Sequence, residues 1–174
     1  MTSDASLDAE FAEFVREHDV SLQRTAFLLT GARLEAEELV QDVLTQLYPK
    51  WERVLAADSQ LAYVRRALTN RFVSLRRSPV VRDASPWEVP DLPDGHDLGE
   101  SVAISATIWQ LLGGLSHKQR AAVVLRYFHD LPDDEVAAEL GCRPATVRSL
   151  VSRGVGALRE AYFASLPNAE ESRR

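Results

Sequence analysis

The chain has 174 residues, with 20 Lys+Arg against 26 Asp+Glu, a formal charge of -6, and 45% hydrophobic and 26% charged positions. That is a globular composition, at a length that allows one ordinary domain or two small ones. No window approaches the ~18 consecutive apolar residues of a membrane span, and the opening MTSDASLDAEF has neither the basic flank nor the apolar core of a signal peptide. Cys142 stands alone, so an internal disulfide is excluded, and it shows no metal-ligand spacing with His18, His96, His117 or His129. We therefore expect a cytoplasmic protein with no membrane partner, no metal, no cofactor and no small-molecule substrate.

Charge is segregated along the chain. Residues 4–19 carry Asp4, Asp8, Glu10, Glu13, Glu17 and Asp19 against Arg16 alone, and the apolar spacing predicts a helix over 7–30, broken around Asp19. A second helix over 33–51 buries Leu39, Val40, Val43 and Leu47 and presents Glu38, Gln41, Asp42 and Thr45 on its other side. Such an acidic, hydrogen-bonding face fits plain solvation and fits docking to a basic partner equally well.

A third helix, 58–77, buries Leu61, Val64, Leu68, Phe72 and Leu75, and aligns Tyr63, Arg66, Asn70 and Arg77 opposite them. Its second half, 65–77, holds Arg65, Arg66, Arg71, Arg76 and Arg77 and no acid. Asn pairs with adenine, Arg binds phosphate and an aromatic stacks on an unpaired base, so this set suits DNA, with a solvated Arg-rich helix as the bland alternative. Residues 78–99, SPVVRDASPWEVPDLPDGHDLG, contain four prolines, two glycines and no helical or strand period. They read as an acidic linker.

Four more helices are expected over 100–113, 117–128, 133–140 and 144–163, giving an all-α chain of two small helical domains. In DDEVAAELGCRPATVRSLVSRG (133–154), Val136 and Leu140 supply an inner face and Ala137 allows a close crossing. Gly141 falls where a left-handed residue ends the helix, and Pro144 suits the first turn of the next. Val147, Leu150, Val151, Val155 and Leu158 then form one stripe, and opposite it stand Ser149, Ser152 and Gly156 with Arg148 and Arg153 on the flanks. Two short helices joined by a tight Gly-containing turn are the DNA-binding helix-turn-helix arrangement, and small polar residues between arginines let a helix approach base edges. An ordinary helical hairpin with a basic face is the competing reading. Cys142, in the turn, reads as a small buried apolar residue.

Taken together, FAEFVREHDVSLQRTAFLLTG (11–31), AEELVQDVLTQLYPKW (36–51), AYVRRALTNRFVSLRR (62–77) and LSHKQRAAVVLRYFHDLPDDEVAAELGCRPATVRSLVSRGVGALR (115–159) resemble the extracytoplasmic-function sigma factors of bacterial RNA polymerase. The match runs over nearly the whole chain in the family's order, and the Phe27–Thr30 run with Tyr48 and Trp51 is similar to the actinobacterial sigma-E-like subgroup. The resemblance implies sigma region 2 at 1–77, a linker at 78–99, sigma region 4 at 100–166 and a tail at 167–174. It implies a non-enzymatic factor that binds core RNA polymerase, recognises a promoter and assists melting.

By the same resemblance, Glu38, Leu39, Gln41, Asp42 and Thr45 would bind the clamp coiled coil of the largest polymerase subunit, and region 4 the flap of the second-largest. Tyr63, Arg66, Asn70, Arg71 and Arg77 would read the minus-ten element, with 53–60 as the loop that captures a base of the melted non-template strand. Arg143, Thr146, Arg148, Ser149, Ser152 and Arg153 would read the duplex minus-thirty-five element. A separate anti-sigma factor is an expected further partner. The chain departs from the family at Arg143-Pro144-Ala145, where many members have a small residue then Gly, at Ser152, often larger, and in the Ala-rich loop 54–58.

Two other functions compete. A stand-alone helix-turn-helix regulator explains the C-terminal half but gives no task to Glu38, Gln41, Asp42 or Asn70. A magnesium-dependent nucleotide hydrolase would use Glu35, Glu38 and Asp42, and needs a facing carboxylate helix that only Asp130, Asp133 and Asp134 offer.

Overall fold

A computed structural model describes residues 4–75 and 110–166, and all its regular elements there are helical. They are α1 (Asp4–Thr30), α2 (Arg33–Leu47), a 3-10 turn (Tyr48–Lys50), α3 (Trp51–Leu55) and α4 (Gln60–Leu75). After them come the end of α5 at 110–113, α6 (His117–Val123) running into a π turn (Val124–Phe128), α7 (Asp133–Leu140) and α8 (Pro144–Ser165). The expected linker at 78–99, the tail at 167–174 and Arg77 lie outside the described residues.

Two expected boundaries are corrected. α1 is unbroken at Asp19, because that residue lies on the exposed side and accepts a hydrogen bond from Gln23 Nε2 at 3.4 Å, one turn on. The helix expected over 33–51 instead ends at Leu47, and the chain tightens into the 3-10 turn where Pro49 has no N–H to continue the ladder.

α1, α2 and α4 pack around Leu22, Leu29, Val40, Val43, Val64, Leu68 and Phe72. Trp51 closes one end, with Phe11 and Phe14 edge-on to its ring at 4.9 and 5.1 Å. The cluster does not stop at the first half: Leu112, Leu115, Ala121, Val123 and Val124 belong to it, so the two helical segments share one apolar contact region. A second, smaller cluster lies inside the helix-turn-helix, formed by Leu125, Leu131, Val136, Ala137 and Val147, with Cys142 packed against it.

Ser116 begins α6 with a capping box, its Oγ accepting from Gln119 N and its N–H donating to Gln119 Oε1. The π turn then carries one extra residue, which keeps Val124 and Leu125 buried, leaves Tyr127 and Phe128 exposed and brings His129 toward α1. Gly141 ends α7 with φ 62°, ψ 39°, the left-handed conformation its position led us to expect. Pro144 opens α8, and of the expected stripe Val147 is buried while Leu150, Val151, Val155 and Leu158 are half-buried.

α8 crosses α6 at Gly154, where an added Cβ would meet Val123 Cγ2 at 2.8 Å; at Gly156 it would meet nothing within 4 Å. Val123 is β-branched and buried, so it has little room to yield. Gly156→Ala should therefore raise stability by about 0.5–1 kcal/mol through helix propensity, whereas Gly154→Ala should lower it by about 1 kcal/mol as overpacking outweighs the same gain. Thermal melts of the two variants against wild type check the opposite signs.

Candidate polymerase and nucleic-acid interfaces

On α2 the 3.6-residue period separates a buried side (Ala36, Leu39, Val40, Val43, Leu47) from an exposed row of Glu38, Gln41 and Thr45. Leu39, at 3% exposure, lies in the core as the apolar spacing of this helix led us to expect, and holds the row in place from behind. Asp42 is half-buried and engaged on both oxygens, accepting from Gln46 Nε2 at 2.9 Å and from Arg71 Nε on α4. Asp42 and Arg71, expected at two different interfaces, thus form one ion pair that ties α2 to α4.

Beside the exposed row lies an open groove of about 460 Å³ lined by Phe11, Gln41, Leu44, Thr45 and Tyr48. The Tyr48 hydroxyl donates to Asp8 Oδ1 at 2.6 Å and its ring packs on Phe11 at 5.0 Å. Sequence reasoning missed the groove because it forms only where α1 and α2 lie side by side, bringing Phe11 next to Leu44 and Tyr48. The available signal was Tyr48, an aromatic past the end of α2.

On α4, Tyr63, Arg66 and Asn70 are exposed at successive turns, while Val64, Leu68 and Phe72 are buried on the other side. These three form the row that sequence spacing anticipated. Arg65 points elsewhere: its Nε donates to Glu139 Oε1 of α7 at 3.0 Å, with Nη2 on the same oxygen, in an ion pair whose side chains are only 12% and 9% exposed. Nearby, Arg120 Nε donates to the carbonyl of Leu28 at 2.7 Å, and Phe72 meets the His117 ring edge-on at 5.3 Å.

In the helix-turn-helix, Arg143, Thr146, Arg148, Ser152 and Arg153 are exposed along α8 and Ser149 is half-buried. Arg148 lies 3.7 Å from Asp133, which is also 3.6 Å from Arg126. Of the carboxylates weighed as magnesium ligands, Asp42 is paired with Arg71, and Asp133 with Arg126 and Arg148. Among the described residues no group of three or more His, Cys, Asp or Glu could hold a metal ion, and no helix is long and apolar enough to cross a membrane.

Residues 105–158 match the family model described as sigma-70, region 4. Over 155 residues the chain is 32% identical to the RNA polymerase sigma-E factor of Streptomyces coelicolor, covering 89% of this chain and 87% of that one. The chain belongs to the extracytoplasmic-function RNA polymerase sigma factors. The sigma-E factor of Streptomyces avermitilis is 33% identical over 87% of this chain and 84% of its own length, as the sigma-E-like resemblance led us to expect. Among solved structures, the sigma factor RpoE in complex with the anti-sigma factor NepR from Bartonella quintana has 25% identity and a TM-score of 0.70, covering 90% of this chain and 99% of that one. CnrH in complex with the cytosolic domain of CnrY shares the fold, with a TM-score of 0.61 at 21% identity over 91% of each chain. As a sigma factor the chain acts in transcription initiation, and the reading as a stand-alone regulator falls away.

The polar contacts between the halves include one titrating group. Thr25 Oγ1 donates to the carbonyl of Ser21 at 2.8 Å, so toward His129 Nε2, 3.0 Å away, it acts as acceptor and the ring carries its proton on Nε2. Burial, aided by the Arg65 guanidinium, pushes His129 down from 6.5 to about 4. The folded chain therefore binds fewer protons than the unfolded chain between these values. The contribution of His129 to stability is complete above about pH 6.5 and shrinks as pH falls toward 4. His129→Gln, which keeps an N–H for Thr25, should flatten the loss of melting temperature between pH 7 and 5.5, a window above most carboxylate titration.

Proposed function

We propose that residues 1–77 act as sigma region 2 and 100–166 as sigma region 4, joined by the linker at 78–99 and followed by the tail at 167–174, in a cytoplasmic factor. Region 2 binds the clamp coiled coil of the largest polymerase subunit through Glu38, Gln41 and Thr45, whose joint exposure on one side of α2 is the observation that carries this reading. Asp42 supports that row through its hold on Arg71. Region 4 rests on the flap of the second-largest subunit, and no step requires covalent chemistry from the chain.

At the promoter, Tyr63, Arg66 and Asn70 take the minus-ten element, with Arg71 at their edge and Arg77 continuing the basic run. A base of the melted non-template strand enters the loop 53–60, where its binding offsets the few kcal/mol that unstacking costs. Arg143, Thr146, Arg148, Ser149, Ser152 and Arg153 meet the minus-thirty-five duplex in the major groove. Arg148 exchanges its partner Asp133 for phosphate or guanine. A neighbour of the same fold, RpoE, is bound to the anti-sigma factor NepR in its solved structure, which supports an anti-sigma partner for this chain too.

Glu38→Arg, an exposed substitution with no core contact, should weaken binding to purified core RNA polymerase about tenfold or more while leaving the melting temperature unchanged. Unaltered affinity would move the contact off α2. Arg153→Ala should leave core binding intact and cost about 1–3 kcal/mol of promoter affinity in the assembled holoenzyme, confined to templates with an intact minus-thirty-five element.

A further inference from the structure

Arg148 stands on the flank of the α8 face assigned to duplex DNA, and it already has a partner there. Its Nη1 lies 3.7 Å from Asp133 Oδ2, while Asp133 Oδ1 lies 3.6 Å from Arg126 Nε. One carboxylate of α7 thus sits between two guanidiniums. Both separations exceed a hydrogen bond, so Asp133 acts on Arg148 through charge rather than through a directed contact. Arg143 and Arg153, also exposed along this part of the chain, form no ion pair with a described residue.

Asp133 is the fixed member of the pair. It opens α7, where a helix N-terminus favours an acid. Arg126, its other partner, is itself anchored: Nη1 donates to the Leu131 carbonyl at 3.3 Å and lies 3.9 Å from Asp130. Val136, one turn after Asp133, and Val147, next to Arg148, are both buried in the helix-turn-helix cluster, so packing sets the spacing of α7 and α8. Arg148 is the movable member, its side chain 64% exposed against 30% for Asp133. A ligand that takes Arg148 must therefore draw it away from a carboxylate that stays behind.

DNA is such a ligand. When Arg148 turns to a phosphate or a guanine it gives up its attraction to Asp133, and the stranded carboxylate then faces a polyanion. Both effects arise on any sequence to which Arg148 turns. They lower affinity without favouring a wrong sequence, because specificity is a difference between affinities.

We propose, on the assignment of α8 to the minus-thirty-five duplex, that Asp133 is an affinity-limiting residue of this surface, competing with DNA for Arg148. Residues 144–159 carry no acid of their own, so the acid that restrains the reading helix is supplied by its neighbour α7.

The test titrates holoenzyme, the full-length chain with core polymerase, onto a labelled promoter duplex active in run-off transcription. A second duplex has the same sequence with its minus-thirty-five half scrambled. Wild type, Asp133→Asn, Arg148→Gln and the double variant are compared over a range of salt. Asp133→Asn should bind the promoter about fivefold more tightly, the scale of one surface ion pair. Its salt slope should be steeper by about 0.9, and its discrimination between the duplexes no lower than that of wild type. In the Arg148→Gln background most of the gain should disappear. If Asp133→Asn lowers the melting temperature, Asp133→Ser, which keeps a polar side chain at the helix start, takes its place.

Promoter binding that Asp133→Asn leaves unchanged or weakens would overturn the competition, and a weakening confined to the intact element would show Asp133 aiming Arg148 at a base instead. Arg148→Gln that binds DNA like wild type would remove the α8 assignment and the competition with it. Arg148→Gln that weakens binding, beside an Asp133→Asn without effect, would remove the competition alone.

Discussion

α4 serves two packings at once, and the rest of the molecule depends on that constraint. One side delivers Val64, Leu68 and Phe72 to the bundle made with α1 and α2. Another turns Arg65 into the buried pair with Glu139, and a third leaves Tyr63, Arg66 and Asn70 in solvent. A helix has only 3.6 positions per turn to divide among such duties. Within Tyr63-Val64-Arg65-Arg66, Tyr63 and Arg66 therefore share the solvent side while Val64 faces the bundle and Arg65 faces Glu139, so a run that reads as one basic patch is split between solvent and interface.

The same division explains how much of the chain was legible in advance. Boundaries set by local chemistry were readable: Gly141 and Pro144 mark the turn of the helix-turn-helix because left-handed backbone and a missing N–H act within a few residues. The exposed rows on α2 and α4 followed from periodicity, as did most of their buried residues. Asp19 misled because an acid at mid-helix reads as a break, whereas on the solvent side of an otherwise well-packed helix it costs little.

Long-range pairings were the illegible part. Nothing near Asp42 in sequence announces Arg71, and nothing near Arg65 announces Glu139, since both pairs form only when elements distant in sequence meet. Leu39 was placed at the polymerase contact by family likeness, yet the period of α2 alone puts it in the core with Val43. Asp42 and Leu39 stand behind the row that Glu38, Gln41 and Thr45 present. The Phe11, Leu44 and Tyr48 groove needed α1 and α2 side by side before it existed at all.

The most direct measurement is run-off transcription by purified core RNA polymerase on a pool of promoters from the source genome, with and without the chain. The account predicts discrete transcripts that require the chain and start at a fixed distance from a shared pair of upstream elements. Core polymerase that initiates no differently in its presence, while the chain alone retains duplex DNA, would contradict it.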